Sequence, residues 1–320
     1  MRKVKSIAQL ALGALAAAVL ATSASAADRI NLAIGQKGLW NSMVTVQCVH
    51  SGICGKAGLD VHITWTSGGA ATLQAAVSGS TDLALTNGTL GVLAAYSRGA
   101  PVRIVSAETT GSRDLYWYVL ADSKYKKLSD IDGASIGFSE PGSSTNLAEI
   151  ALAKHFNVHL KMIPTGGIPA TRTQVLSHQV DIGWSVPPNG FDLVHQGKIR
   201  ILGSGVDVPS LQEETVRVNV ANLNFLKAHG DVAKRFIQAY QDTLDWMYSH
   251  QDEALKLFAE ENKIDMATAK ETLKYFPKEA LNPAHLVGLD RVNQEAVEQH
   301  KMDKPLTAAQ LKDVVDMLTK

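Results

Sequence analysis

At 320 residues the chain is long for one hydrophobic core, and two lobes of roughly 100–200 residues each are expected. Hydrophobic residues make up 45% of it, ample for buried cores, and no biased or heavily charged tract points to disorder. Lys+Arg and Asp+Glu balance at 31 each; this excludes the basic surplus on which nucleic-acid binding draws.

Residues 1–26 differ from all that follows. Arg2, Lys3 and Lys5 form a positive start, Leu10–Ala21 is an unbroken run of apolar residues and glycine, and Ala24-Ser25-Ala26 supplies a small-x-small cleavage pattern. This reads as a secretory signal peptide, with Ala27-Asp28 opening the mature protein and the periplasm as its expected location. The apolar run falls short of the ~20 residues that a membrane-spanning helix needs, and no later stretch is apolar for long enough. No Cys stands at the cleavage point to take a lipid.

Export makes Cys48 and Cys54 candidates for a disulfide. An unbroken helix through both would hold their Cα atoms ~9 Å apart, out of bonding reach, but Gly52 and Gly55 can break it. Two buried free thiols are the alternative. Only His50 and His62 lie near, so no metal site is expected.

From Asp28 short apolar runs alternate with helical patterns, which predicts an α/β chain with largely parallel sheets. Ile30–Ile34 reads as a first strand, a helical stretch follows from about Leu39, and Val61, Ile63 and Trp65 alternate with polar residues as a second strand. Leu73, Ala76 and Val77 give a short helical stripe; Asp82–Leu85 and Arg103–Ala107 are further strands. Strands at 134–138, Leu160–Ile163 and Asp181–Trp184 follow, with a helix at Thr171–Leu176. Ser67-Gly68-Gly69 and Thr165-Gly166-Gly167 each precede a short helix and a Ser-x-x-x-Asp that opens a strand (Ser78 to Asp82, Ser177 to Asp181). Gly79 suits a left-handed helix cap better than His178 does at the matching place. The repetition predicts two lobes on one plan, joined around the strands Leu115–Leu120 and Thr215–Val220. A helical tail from Ala228 carries the stripe Val232, Phe236, Ile237, Tyr240, Leu244 and Met247, then helices at 253–260, 266–275 and 308–318. It is expected to pack on the first lobe and brace the hinge.

Open parallel sheets bind ligands beyond the carboxyl ends of their strands, which selects the Gly-, Ser-, Thr- and Asn-rich loops there. The candidate ligand contacts are Trp40, Asn41, Ser67, Gly68, Gly69, Thr86, Asn87 and Thr109 in the first lobe. In the second they are Ser139, Gly142, Ser143, Ser144, Thr145, Gly166 and Trp184. The run from Gly137 to Asn146 carries the strongest signal, because a hydroxyl-rich helix start offers N–H donors and a positive dipole end to an anion. Ser144, Thr145 or Asn146 can equally be a plain helix cap. Trp40 and Trp184 stand where they could cover a flat or apolar ligand part, though a core position is the commoner fate of tryptophan. Lys37, Arg113 and Arg172 are the charges placed to meet an anion, or else solvated surface. Ser123-Lys124-Tyr125-Lys126 fits Ser-x-x-Lys but lacks its partner motifs, and no nucleophile elbow, dinucleotide fingerprint or metal cluster stands in the chain. No catalytic residue and no cofactor are expected.

Six stretches also carry a resemblance: Ala57-Gly58-Leu59-Asp60-Val61, Thr66-Ser67-Gly68-Gly69, Ser78-Gly79-Ser80-Thr81-Asp82, Leu128-Ser129-Asp130-Ile131-Asp132-Gly133, Pro141-Gly142-Ser143-Ser144 and Val180-Asp181. In this order the chain resembles the solute-binding proteins of ABC importers of the nitrate/sulfonate/taurine/thiamine-pyrimidine type. The resemblance implies a Venus-flytrap fold of two α/β lobes with two crossover strands, a small-molecule ligand in the cleft, and delivery to an ABC permease. Laid on this chain it gives a lobe of residues 27–112 plus 213–320, with the C-terminal helices, and a lobe of residues 113–212. The function expected is capture of a small anionic organic solute by a monomer. A fungal pyrimidine synthase of this fold has a His/Cys-rich motif that is absent here. The alternatives are an exported hydrolase or transferase using the same cleft, and an exported sensor or chaperone-like protein.

Overall fold

The computed structural model describes residues 27–319; the signal peptide expected at 1–26 lies outside them. Ten strands and thirteen α-helices are described. The first half runs β1 (Asp28–Gly35), α1 (Val44–His50), α2 (Ile53–Lys56), β2 (Leu59–Thr66), α3 (Gly69–Ser78), β3 (Leu83–Gly88), α4 (Thr89–Ser97) and β4 (Val102–Thr110). Next come β5 (Tyr116–Leu120), β6 (Ser135–Phe138), α5 (Ser144–Phe156), β7 (Lys161–Pro164), α6 (Ile168–Leu176), β8 (Gly183–Ser185), α7 (Phe191–His195), β9 (Ile199–Ser204) and α8 (Pro209–Gln212). The chain closes with β10 (Thr215–Asn222), α9 (Leu223–Ser249), α10 (Gln251–Asn262), α11 (Met266–Leu273), α12 (Leu289–Glu298) and α13 (Ala308–Val314).

A five-stranded sheet has the order β2-β1-β3-β10-β4; β8-β5-β9 and β6-β7 form two smaller ones, linked by a bridge between Ile136 and Ile182. The β1–β2, β1–β3 and β6–β7 pairs are parallel, as the alternating pattern predicts. The expectation of largely parallel sheets is corrected at β5 and β10, which run antiparallel to all their neighbours. Both are strands on which the chain arrives from the other sheet, so it enters in the reverse direction. β2 lies at an edge, and its alternation shows in burial, Leu59 inward and Asp60 outward; central β10 is buried along its whole length.

The repeat read from sequence extends to individual hydrogen bonds. The Thr66 and Thr72 hydroxyls pair at 2.5 Å, and those of Thr165 and Thr171 at 2.6 Å. Thr72 and Thr171 each donate to the carbonyl at their helix start, Gly68 and Gly167. Asp82 accepts from the Asn31 N–H on β1 just as Asp181 accepts from the Ser135 N–H on β6. His178 adopts the left-handed backbone that Gly79 adopts, at φ 59° against 73°, despite its side chain.

Between the sheets the chain crosses at 111–115 and again at 205–214, and the crossings lie side by side. Gly111 N donates to Glu214 O at 2.8 Å and Gly205 N to Leu115 O at 2.9 Å. A Cβ on Gly205 would meet Ser112 O at 2.0 Å, so only glycine allows this approach. Residues of the tail segment 283–287 press on the same place, with Ala107 N bonded to Pro283 O and Thr215 N to Val287 O.

Cys48 and Cys54 are joined by a disulfide with Cα atoms 5.2 Å apart. Gly52, at φ 76°, ends α1 and starts α2, the break that the bond requires. The tail helix begins at Leu223 rather than Ala228, capped by Asn222, and is kinked at His229. The last helix stops at Val314 rather than Leu318, because the chain then runs along β4, with Asp316 N bonded to Ile104 O and Leu318 N to Val105 O. No helix among the described residues is long and apolar enough to cross a membrane.

Candidate functional site

A cavity of about 40 Å³ lies between the five-stranded sheet and the second set of elements. Gly35, Gln36, Leu39, Asn41, Ser42, Gly69, Thr86, Gly88 and Arg217 wall it on one side; Ser139, Ser143, Ser144, Thr145, Trp184 and Val186 face them. Gln36 and Thr86 hold left-handed φ angles of 55° and 64°, uncommon outside glycine and asparagine, and such backbone concentrates at ligand clamps. Thr86 is fixed by the Asn219 side chain, which accepts its N–H at 3.1 Å, and its own hydroxyl accepts from Gly35 N.

The α5 start commits two of its three hydroxyls to structure. Ser143 is the helix cap, accepting from Asn146 N at 3.2 Å. Thr145 Oγ1 accepts the Ser139 N–H at 2.9 Å and pairs with both the Ser139 and Ser143 hydroxyls, each at 2.9 Å. Among the described residues Ser144 Oγ has no hydrogen-bond partner, and of the three it is the hydroxyl without a structural role. Helix N–H groups point the same way. One turn further on, Glu149 is fully buried with neither carboxylate oxygen paired, and burial pushes its pKa well above the ordinary carboxylate range. Burial thus disfavours its charge.

On the opposite wall stands a buried charge cluster absent from the sequence reading. Arg217 of β10 donates to Asp114 Oδ2, and its Nε lies 3.3 Å from Glu108 Oε2 but is not aligned to donate to it. Glu108 of β4 also accepts from Asn41 Nδ2 at 2.8 Å and from Thr109 Oγ1 at 2.7 Å. Burial raises the Glu108 pKa, against the lowering effects of Arg217, Thr109 and Asn41. Burial also disfavours the Arg217 charge, yet Asp114 and Glu108 outweigh it and hold the guanidinium charged. Asp114 sits in the first crossing, so the cluster ties the cavity wall to that crossing. Its one signal in sequence is a charge inside an apolar strand: Glu108 follows Ala107, and Arg217 stands between Val216 and Val218.

Several candidates stand elsewhere. Trp40 is fully buried, its Nε1 donating to the Tyr248 hydroxyl at 3.2 Å and its ring meeting Tyr248 and Phe258 edge-on, so it is core rather than a lid. Thr86, Asn87 and Gly88 belong to β3 and Thr109 to β4, not to loops. Asn87 serves the sheet, donating to Ala84 O and Val218 O, and Thr109 steadies Glu108. Ser67, Gly68, Gly142 and Gly166 do not line the cavity; Ser67, Gly68 and Gly142 form the seam around it, each meeting a residue of the other side. A Cβ on Gly88 would come within 2.8 Å of Gly142 O and Ser144 N, and one on Gly91 within 2.8 Å of Gly142 O. Arg172 pairs with Asp192, Lys37 with Glu261, and Arg113 is exposed. Trp184 does line the cavity, fully buried, with its Nε1–H unpartnered.

A larger groove of about 510 Å³ runs outside this seam between α3, α4 and Pro141-Gly142, with apolar walls and Arg98 and Lys301 as its charges. The smaller cavity is lined by three residues with unpaired buried polar atoms, Asn41 Oδ1, Trp184 Nε1 and Arg217 Nε, and is the better candidate. Among the described residues no group of three or more His, Cys, Asp and Glu could hold a metal ion.

The family model described as NMT1/THI5 like matches residues 52–254. The chain belongs to the NMT1/THI5-like family. No curated protein matches the sequence. Solved structures share its fold, that of periplasmic binding proteins. The periplasmic aliphatic sulphonate binding protein SsuA from Escherichia coli is 16% identical, with 88% of this chain and 91% of that one covered and a TM-score of 0.70. The alkanesulfonate-binding protein SsuA from Xanthomonas axonopodis pv. citri, bound to MOPS, is 18% identical over 90% and 98%, with a TM-score of 0.74. The desulfurization enzyme DSZB is 17% identical over 88% and 95%, with a TM-score of 0.62. At these identities the likeness of this family member to them is one of fold.

Proposed function

We propose that the protein is an exported solute-binding protein that closes two lobes around a small anionic organic solute, works as a monomer, and hands the solute unchanged to an ABC permease. The lobes are 27–112 with 213–320, and 113–212. One observation carries this reading: a single cavity takes donor-bearing walls from both sides of the paired crossings at 111–115 and 205–214, which would serve as the hinge. At about 40 Å³ the cavity has room for about one water-sized group, so a solute enters only when the walls part. Its anionic group, a sulfonate, carboxylate or nitrate, belongs at Ser144 and the α5 N–H groups opposite Arg217, with Trp184 against the rest. The sulfonate-binding neighbours favour the sulfonate class.

The DSZB likeness favours an enzyme as the second reading. Against it, the cavity lining holds neither cysteine nor histidine, and both cysteines are spent in the disulfide.

A thermal-shift screen of sulfonates, carboxylates, aromatic acids and pyrimidines finds the solute, and calorimetry then tests the site. Hydrogen bonds to a charged group contribute about 1.5–3 kcal/mol, so Ser144→Ala should weaken binding about tenfold or more with little change in melting. Ser143→Ala removes the helix cap and should cost about 1 kcal/mol of stability as well. Unchanged affinity in Ser144→Ala would move the anion away from the α5 start.

A further inference from the structure

The Arg217 cluster is unbalanced for the solute just proposed: one guanidinium faces two buried carboxylates, Glu108 and Asp114, before any anion arrives. An anion beside Arg217 would set three negative charges against one positive charge in the interior, where unpaired charge is costly. Asn41 shows a second mismatch. It lines the cavity, and because its Nδ2 is spent on Glu108, its buried Oδ1 has no partner. As placed, this amide offers an approaching anion an acceptor where a donor is needed.

One change resolves both. We propose that capture of the anion is accompanied by uptake of one proton from solvent onto a Glu108 carboxylate oxygen and by reversal of the Asn41 amide. Protonated Glu108 then donates to Asn41 Oδ1, and Asn41 Nδ2 turns its N–H groups to the anion. Charge balances: the proton cancels the charge that the anion brings. Asp114 keeps its bond to Arg217, and the Thr109 hydroxyl still has a Glu108 oxygen to meet. The groups facing Glu108 are Arg217 from β10, Asp114 from the crossing, Asn41, Thr109, and Tyr240 from α9, whose hydroxyl burial and the Glu108 charge hold protonated. Of these, Glu108 is the carboxyl whose buried position already disfavours its charge, so it is the one to take the proton.

This inference rests on the anionic solute of the proposed function. The test uses ethanesulfonate, with nitrate and acetate beside it, titrated calorimetrically into the whole mature protein in phosphate and in Tris between about pH 6 and pH 9. The buffer dependence of the heat counts the protons. Uptake approaching one proton per anion is expected, with affinity falling up to about tenfold per pH unit as pH rises above the Glu108 pKa. Glu108→Gln carries a fixed amide donor toward Asn41 and should bind with no proton uptake, on a flat pH profile. A merely structural role for Glu108 would leave the proton count unmoved. Binding without proton uptake in the parent, or equal uptake in Glu108→Gln, overturns this inference and leaves the anionic reading standing. Should no anion bind, that reading falls and takes this one with it. The parent's buffer dependence decides the matter even where the variant fails to fold.

Discussion

Arg217→Met should destabilise the protein by about 3–5 kcal/mol in denaturant unfolding at neutral pH, because it strands two buried carboxylates without their cation. The pH dependence gives the cause away. Burial already raises the Glu108 pKa, and loss of the guanidinium removes the main opposing effect, so its folded-state pKa rises further above the unfolded one. That penalty grows as pH rises above the unfolded value and vanishes as pH falls below it. The deficit of Arg217→Met should shrink toward acid. A deficit that is constant down to about pH 4 would mean lost packing rather than lost charge compensation. Binding of the anion should fall with stability, and Glu108→Gln should restore part of both in the double variant, since it removes one of the stranded charges.

A loss of similar size is expected from Trp40→Ala, for an unrelated reason. The Trp40 indole fills the space between the loop after β1 and the tail helices, against Tyr248 of α9 and Phe258 of α10. Removing such a ring costs about 3–5 kcal/mol, and the Tyr248 hydroxyl also loses its donor. The sequence position of Trp40, just past a strand end, points to a ligand platform; the structure turns it toward the core. Unfolding should therefore show the full loss while the order of solute preference stays as in the parent. A changed preference at unchanged stability would restore Trp40 to the cleft.

The two residues show where the sequence is readable and where it is not. β2 is legible because it lies at a sheet edge and one face meets water, so Val61, Ile63 and Trp65 alternate with polar neighbours. The Gly-Gly loops and the Ser-x-x-x-Asp strand openings are legible because backbone geometry demands particular residues at short range. The α4 helix escapes notice: Leu90, Val92, Leu93 and Ala94 are buried around most of its circumference, which leaves no stripe to find.

The site divides along the same line. Asn41, Gly69, Ser139, Ser143, Ser144 and Thr145 stand past strand ends or at a helix start, Thr86 and Trp184 lie within β3 and β8, and the structure brings all of them to one cavity. Glu108, Asp114 and Arg217 come from two strands and a crossing, with Arg217 more than a hundred residues after Asp114. No local pattern joins them; what does is the entry of β10 beside β4, a long-range pairing. Lys37, Arg113 and Arg172 look the better anion partners in sequence because they stand in or beside the candidate loops. The structure leaves them at the surface, two of them on other carboxylates.

Native mass spectrometry of protein purified without unfolding tests the central claim most directly. The account predicts one small anion bound per monomer, released on denaturation with its mass intact, and taken up again at the same mass when the emptied, refolded protein is incubated with it. Release of a chemically altered molecule, or steady conversion of the added solute during incubation, would contradict it and make the cavity an active site.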